Sequence, residues 1–390
     1  MFDVTLSRRS LLTGLGLGLG AVAGMGSSCD IRTPPESSPF LRGRYRAAGL
    51  VLGEREGTEA LPQFIRADEL PIPPSQYYFA CPNGGLLPLD LPDRILASVY
   101  VPRHPPNVRD HRVPSPNPLE MPLGPFPVVL FAHGVRPHQF ACETPFPVVR
   151  DFTRVHRMLE HVVSYGCVAV VPDLSWLPPD LGSLVTLDEA FSLRARVLLA
   201  YYQYLLTLNS TLFANQLDLT RVILAGHSTG AGSAATAGRT LTSIINLESL
   251  AYAFFAPYFR GLSEPPSVGT DTRNLLVIGG GADPISGVDP ANSFAAAGTP
   301  KTLVTVPGAN HFGYTHLCEL DNTCHQTVGS DGTILREGQQ STAAAYLAAL
   351  LRFHAYGDPT ALPYLTGERI VEGPEIYGVT GIEVTHEGAP

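Results

Sequence analysis

A short stretch in the middle of the chain, residues 221–235, constrains the fold more than any other. It reads R-V-I-L-A-G-H-S-T-G-A-G-S-A-A. The apolar run at 222–225 predicts a buried strand, and the small residues after Gly230 favour a helix. The residues between them must therefore turn the chain sharply from strand to helix. Strands followed by helices are the building units of α/β proteins, so this stretch points to that fold class.

Ser228 stands at the centre of a G-x-S-x-G pattern. Between a strand and a helix, such a turn lifts the serine hydroxyl above the end of the sheet, where a reacting carbonyl group can reach it. Gly226 and Gly230 leave room where strand and helix crowd together. The N–H groups at the start of the helix favour negative charge. We therefore predict that Ser228 is a nucleophile; the alternative is an ordinary glycine-rich turn.

The pattern of apolar residues from about residue 127 onward extends the α/β prediction to the whole domain. Its apolar runs are continuous rather than alternating, as is typical of strands buried on both faces. They predict a mostly parallel central sheet of about eight strands with helices on both faces. The runs are 127–132, 167–171, 222–225, 250–256, 275–278 and 302–306, further strands are expected at 44–53 and 95–101, and the helical patterns are 148–165, 187–208 and 338–353.

The amino-terminal segment has the features of an export signal. Arg8 and Arg9 stand in S-R-R-S-L-L, which resembles a twin-arginine motif, and a glycine-spaced apolar run too short for a good membrane span follows. Cys29 ends S-S-C, which resembles a lipoprotein processing site, where the cysteine would carry lipid and tether the protein to a membrane. Cleavage nearby by an ordinary signal peptidase is the alternative. We expect an exported protein, periplasmic or at the cell surface.

The chain is predicted to consist of a signal segment, a linker and one folded domain. Residues 1–29 would be the signal segment, and 30–43 a linker rich in proline and serine. Residues 44–390 would be the domain itself. It includes a proline-rich insertion, 102–125, expected at the surface, and a carboxyl-terminal extension, 357–390, which has no helical period and offers a small strand pair at the sheet edge.

Charge and cysteine content indicate which partners and which disulfides to expect. The net charge is −9 and no basic stretch is present, which excludes nucleic acid as an expected partner. Export permits disulfides. Cys318 and Cys324, close together in one predicted loop, are the best pair, and Cys81 with Cys142 is a weaker one. Cys167 opens an apolar strand and is expected to be a buried small hydrophobic residue.

A serine hydroxyl needs a base and a group that orients the base. His311, in G-A-N-H-F, follows the last strong apolar run, so its loop lies at the strand end where Ser228 is expected. Asp283 follows another apolar run and a glycine turn, and Asp289 is the alternative acid. The chain order Ser228, Asp283, His311 is the one that accompanies a nucleophile turn of this kind.

The negative charge that develops on a reacting carbonyl oxygen needs preorganised N–H donors. The backbone N–H of Thr229 is one candidate, and that of Val135, in the loop after the run 127–132, is the other. Gly134 keeps that loop free of side-chain obstruction, and His133 is expected to bond nearby backbone. His227 is expected to support the turn, because neighbours on such a turn point away from each other.

A zinc site is the main competing interpretation of the histidines. The candidate ligands are His311, His316, Cys318, Cys324 and His325. They are suitable ligand types, but their spacing is irregular and the site would occupy the best candidate base. We therefore expect neither a metal nor another cofactor.

The motifs together resemble the α/β-hydrolase superfamily over residues 96–356. P-V-V-L-F-A-H-G, V-V-P-D, G-H-S-T-G and G-A-N-H-F are similar to those of the branch with dienelactone hydrolases, cutinase-like polyesterases, chlorophyllases and bacterial platelet-activating-factor acetylhydrolase relatives. The resemblance implies a serine hydrolase with a Ser-His-Asp triad. Dienelactone hydrolases use cysteine where this chain has Ser228. The insertion 102–125 and the cysteine-bearing loop after His311 are further departures.

The sequence thus predicts an exported, carboxylesterase-like serine hydrolase for a small-molecule or polymeric ester. The connections at 172–186 and 257–273 are too short for a large helical lid, which favours an open cleft and a soluble or bulky substrate. Phe140 and Trp176 are expected to line the cleft, with plain packing as the alternative. An acyltransferase would use the same residues, and a non-catalytic surface binding protein could keep the same fold.

Overall fold

A computed structural model describes most of the predicted domain. The described residues are 43–52, 61–62, 78–80, 86–88, 94–104, 119, 121–134, 152, 155–175, 187–244, 249–259, 268–315, 334–371, 373 and 376–389. The strands are β1 (Arg46–Leu52), β2 (Leu61–Pro62), β3 (Tyr78–Ala80), β4 (Leu86–Pro88), β5 (Arg94–Ile95), β6 (Ala97–Arg103), β7 (Phe126–Ala132), β8 (Val168–Pro172), β9 (Leu217–His227), β10 (Ser249–Phe255), β11 (Leu275–Gly280), β12 (Lys301–Val306) and β13 (Glu383–Glu387). The α-helices are α1 (His156–Val163), α2 (Leu187–Ser210), α3 (Thr229–Ile244), α4 (Asp289–Ala296), α5 (Arg336–Leu350) and α6 (Leu362–Thr366).

Nine strands form one sheet in the spatial order β1-β6-β8-β7-β9-β10-β11-β12-β13. All neighbours from β8 to β12 are parallel, whereas the pairs β1–β6, β6–β8 and β12–β13 are antiparallel. The predicted α/β class with a mostly parallel sheet is therefore confirmed. Because the central strands run the same way, the loops after β7, β9, β11 and β12 all leave from one edge of the sheet, which we call the carboxyl edge.

Both faces of the sheet are covered, as the continuous apolar runs predict. In β7, Val128 and Leu130 belong to one buried cluster, which includes residues of α2 and α3. Val129 and Phe131 belong to a second cluster, which includes residues of α1 and α5. Successive strand residues point to opposite faces, so an alternating pattern would have left one face exposed. Strands β7, β8 and β11 have no polar side chain, because each face of the sheet packs against helices.

The carboxyl-terminal extension differs from its prediction in two ways. Its described residues, 357–371, 373 and 376–389, add one strand, β13, to the sheet rather than a strand pair, which agrees with the expected total of about eight strands. It also contains the short helix α6. β13 pairs along the outer side of β12, with Lys301 opposite Glu387 and their charged groups 3.1 Å apart. This pairing satisfies backbone groups that an edge strand would otherwise leave open.

The prediction that the insertion 102–125 lies at the surface is wrong for part of it. Pro102 and Arg103 complete β6, and the side chains of Leu119 and Met121 are buried in the cluster on the α2–α3 face. Apolar side chains among the prolines thus reach the core even though the backbone is irregular. Residues 105–118 and 120 lie outside the described residues.

The chain after α5 is held by a buried ion pair. One turn of π-helix, Leu351–Ala355, continues α5. Within it, Arg352 donates from Nε to Asp358 Oδ2 at 2.8 Å and from a terminal nitrogen to Thr360 Oγ1 at 2.7 Å. Burial by itself raises the pKa of Asp358, but the hydrogen bonds from Thr360 and Arg352 outweigh it and lower that pKa. The carboxylate therefore stays charged and fixes the end of α5.

The two connections expected to be too short for a lid contain no additional helix in their described parts, 173–175, 256–259 and 268–274. This agrees with the predicted absence of a large lid. Within the described ranges, no helix combines the length and the hydropathy that crossing a bilayer requires.

Candidate active site

Ser228 occupies the sharp turn that the sequence predicts. β9 ends at His227 and α3 begins at Thr229, so Ser228 is the single residue between them. Its φ of +56° lies in the left-handed region, which is costly for a residue with a side chain and persists only where the surroundings enforce it. Here the Ser228 N–H donates to the carbonyl of Phe255 at 3.0 Å, and the Ser228 carbonyl accepts from Ala231 N–H at 3.0 Å.

The glycines of the motif allow this turn to pack against its neighbours. A Cβ on Gly226 would overlap the backbone of Gly230, and one on Gly230 would overlap the carbonyl of Ala132. Strand β9, helix α3 and the end of β7 therefore meet backbone to backbone beneath Ser228.

The structure brings the three predicted side chains together. His311 Nε2 lies 2.8 Å from Ser228 Oγ, and His311 Nδ1 lies 3.0 Å from Asp283 Oδ2. All three residues are buried. An ionised Asp283 can only accept, so Nδ1 carries the proton and Nε2 is left with a lone pair facing the serine hydroxyl. This is the arrangement in which an imidazole can remove a proton from Ser228.

Asp283 is held as an anion by its own loop. Its Oδ1 accepts the N–H groups of Ile285 and Ser286 at 2.9 and 3.0 Å. Burial by itself raises the pKa of Asp283, but hydrogen bonds from His311 and Ser286, together with the nearby imidazole, lower it below the usual value. The alternative acid, Asp289, instead accepts the N–H of Phe259 at 2.7 Å.

Ser286 is a site residue that the sequence reasoning missed. Its hydroxyl oxygen lies 3.1 Å from His311 Nδ1 and its side chain hydrogen-bonds the carboxyl group of Asp283. The available signal was a hydroxyl residue three positions after the predicted acid, where a turn folds back on the carboxylate. The hydroxyl supports both partners of the acid–base contact.

Two aromatic rings pack against the imidazole of His311. Phe312 meets it edge to face, with centroids 5.0 Å apart, and the ring of His227 lies 5.1 Å away. His227 Nε2 also lies 2.8 Å from the His311 carbonyl oxygen and therefore donates to it. The expectation that His227 points away from Ser228 and supports the local structure agrees with this contact.

His227 should make the folded protein less stable in acid. Burial, followed by the nearby His311, lowers the pKa of His227 from 6.5 to about 3. Between these two pKa values, the His227 side chain therefore binds a proton in the unfolded chain but not in the folded protein. The free energy of unfolding is expected to fall as the pH falls through this window, by an amount on the order of a few kcal/mol.

Urea unfolding between pH 4 and 7 measures this loss of stability. His227→Gln keeps an N–H donor for the His311 carbonyl but does not titrate, so its free energy of unfolding should change less with pH than that of the wild type. Equal slopes for the two proteins would contradict the assignment.

The loop after β7 approaches the nucleophile closely. A Cβ on Gly134 would lie 2.8 Å from the Ser228 Cβ, which explains the glycine. His133 bonds nearby backbone as predicted: its Nε2 accepts Leu174 N–H at 2.9 Å, and its Nδ1 donates to the Gly134 carbonyl at 2.8 Å. Arg194 of α2, which the sequence reasoning missed, donates to the carbonyls of His133 and Leu174. These bonds fix the start of the candidate oxyanion loop.

Of the two predicted oxyanion donors, the structure describes one. Thr229 is the first residue of α3, where backbone N–H groups have no acceptor within the helix. The second predicted donor, Val135, lies outside the described residues. The same is true of the other predicted site residues and cysteines: Phe140, Trp176, Cys318, Cys324, Cys29, Cys81, Cys142, His316 and His325.

Two further observations concern cysteine and metal chemistry. Cys167 is buried and free, as predicted, and burial raises the pKa of its thiol. Among the residues that the structure describes, no group of three or more His, Cys, Asp or Glu side chains could hold a metal ion.

The sequence matches no protein-family model and no curated protein.

Proposed function

We propose that the protein is a serine ester hydrolase that acts through a covalent acyl-enzyme. The observation that carries the proposal is the chain of contacts from Asp283 through His311 to the Ser228 hydroxyl, at 3.0 and 2.8 Å. Three further features support it: the left-handed turn at Ser228, the start of α3 beside it and the close approach of Gly134. The resemblance to the α/β-hydrolase superfamily agrees with this chemistry.

The proposed reaction has two halves. Ser228 Oγ attacks the ester carbonyl carbon while its proton passes to His311 Nε2, and the C=O electron pair moves to the oxygen. The N–H of Thr229, with that of Val135 as the proposed second donor, stabilises this oxyanion. When the carbonyl re-forms, the C–O bond to the alcohol breaks and His311 returns the proton to it. Water then repeats the sequence on the acyl-enzyme and releases the acid.

Asp283 has an indirect role in this mechanism. It keeps the proton on Nδ1, so that Nε2 stays available as a base, and it stabilises the imidazolium that forms. No metal or cofactor takes part in these steps. The proposed substrate is a soluble or bulky ester, because a site without a large lid would be open to such a molecule.

A fluorophosphonate probe tests the proposal directly. Such a probe phosphonylates a serine only where the hydroxyl is activated, so the wild-type protein should react and the adduct should map to Ser228 by mass spectrometry. Release of p-nitrophenol from short-chain esters should disappear in step with labelling. Failure of the folded protein to react would favour the non-catalytic binding protein instead.

We also propose export, on the basis of the twin-arginine-like motif at Arg8 and Arg9 and the processing site at Cys29. Determining the amino terminus of the mature protein and any lipid on Cys29 tests this proposal.

A further inference from the structure

The backbone of Asn310, the residue before His311, is hydrogen-bonded by a side chain from a helix that lies further along the chain. Gln339 of α5 donates from Nε2 to the Asn310 carbonyl at 2.6 Å, and its Oε1 accepts the Asn310 N–H at 3.1 Å. One planar amide thus pairs with both backbone polar groups of one residue, as a neighbouring strand would. Gln339 is 2% exposed, so water does not compete for these bonds.

The loop is shaped around this amide. A Cβ on Gly313 would overlap the side-chain amide of Gln339, so glycine leaves the space that the amide fills. The Asn310 side chain closes the loop by accepting Gly313 N–H at 2.8 Å on Oδ1. Residues 310–313 therefore fold back on Gln339, with His311 at the turn.

The helix that carries Gln339 is itself fixed in the core. Helix α5 carries Tyr346 and Leu347, which are fully buried in the cluster beneath the sheet. His311 itself contributes its ring to Ser228 and Asp283, and its carbonyl to His227. The peptide on its amino-terminal side is the part that Gln339 holds. Loss of these two hydrogen bonds would leave the backbone that carries the imidazole with fewer contacts to fix its position.

We propose that Gln339 is a positioning residue, which sets the backbone position of His311 so that Nε2 stays within reach of the Ser228 hydroxyl. This inference rests on the proposed hydrolase function. Reactions that depend on aligned groups are sensitive to small displacements, and a misplacement of about 1 Å can cost about 100-fold in rate. The role assigned to Gln339 is therefore in the chemical step rather than in substrate binding.

Gln339→Met tests the proposal, and the chain provides a matched control. Gln340 is the next residue of the same helix and is 1% exposed, yet neither of its amide atoms has a hydrogen-bond partner within the described part of the chain. We expect Gln339→Met to lower kcat by about 10- to 100-fold with little change in KM. Gln340→Met, which removes an equally buried amide without such contacts, should keep wild-type kcat and KM.

Gln339→Glu provides a readout that packing alone would not produce. Its ionised carboxylate can accept the Asn310 N–H but repels the Asn310 carbonyl, whereas its protonated form can donate to that carbonyl and restore both bonds. Burial raises the pKa of the introduced carboxyl above its ordinary value of about 4.3. The ratio of variant to wild-type kcat should therefore decrease as the pH rises through that pKa, at temperatures where both proteins are fully folded.

The outcomes separate this inference from the function on which it rests. An active wild type with Gln339→Met impaired, Gln340→Met normal and a falling Gln339→Glu ratio would support the positioning role. An active wild type with unchanged kcat in Gln339→Met, or a Gln339→Glu ratio independent of pH, would overturn that role alone. A folded wild type that neither turns over esters nor reacts with fluorophosphonate would overturn both.

Discussion

Replacing Ser228 by alanine is expected to lower kcat for short-chain p-nitrophenyl esters by about 10⁶-fold, the size of effect seen when a triad nucleophile is removed. The reason is that Ser228 Oγ lies 2.8 Å from His311 Nε2 and would form the bond to the acyl group. What remains should exceed the uncatalysed reaction because the N–H donors would still polarise the carbonyl. Initial rates and fluorophosphonate labelling, measured on both proteins, give the comparison.

The fold should tolerate this change, so activity and folding can be separated. Alanine pays a cost similar to that of serine for the left-handed φ at this position, and the Ser228 backbone bonds to Phe255 and Ala231 remain. Ser293→Ala is a suitable control, because Ser293 is also buried but its hydroxyl bonds the Asp289 carbonyl on α4. Turnover that survives Ser228→Ala, or that is lost in Ser293→Ala, would contradict the nucleophile assignment.

Replacing Asp283 by asparagine is expected to lower kcat by about 10⁴-fold. The local hydrogen bonds determine how the new amide would sit. Oδ1 accepts two backbone N–H groups, so the amide oxygen would take that place and the NH₂ group would face His311 Nδ1. An NH₂ donor there requires an unprotonated Nδ1. The proton would then move to Nε2, which could no longer accept from Ser228.

Asp289→Asn is the matched control for this prediction. Asp283 and Asp289 are each 7% exposed and lie six positions apart in the chain. Asp289 accepts the N–H of Phe259, and an amide oxygen can do the same, so kcat should stay close to the wild-type value. Steady-state kinetics on both variants decide between the two acids. A large loss in Asp289→Asn together with normal turnover in Asp283→Asn would reverse the assignment.

The proposed acid and base, Asp283 and His311, could be chosen from the sequence because each follows its strand directly. β11 and β12 are parallel neighbours in register, so the loops after them emerge side by side at the carboxyl edge. Asp283 and His311 each lie within a few residues of such a strand end. Because a short loop can adopt few conformations, both side chains stay near that edge. The same reasoning preferred Asp283 and kept Asp289 as the alternative. The structure separates the two, because Asp283 contacts His311 whereas Asp289 accepts the N–H of Phe259.

The partners of the side chains that support the site could not be predicted in this way. Gln339 bonds Asn310, which lies 29 positions earlier, Arg194 bonds the His133 carbonyl 61 positions earlier, and His227 contacts His311 across 84 positions. Each is a bond between a side chain and a backbone group, which any polar residue of the right length could make. The residue type therefore contains no information about its partner until helices and strands are packed together.

By itself the sequence determined the α/β class, the strand–turn–helix at Ser228 and the positions of Asp283 and His311, because these depend on apolar periodicity and on turns only a few residues long. The tertiary structure alone decided that β13 pairs with β12, and that the side chains of Leu119 and Met121 lie in the core. It also decided that Ser286 contacts His311 and that Gln339 bonds the residue before it. These outcomes depend on which surfaces meet across long stretches of chain. Packing and hydrogen bonding select among many partners that local sequence makes equally acceptable.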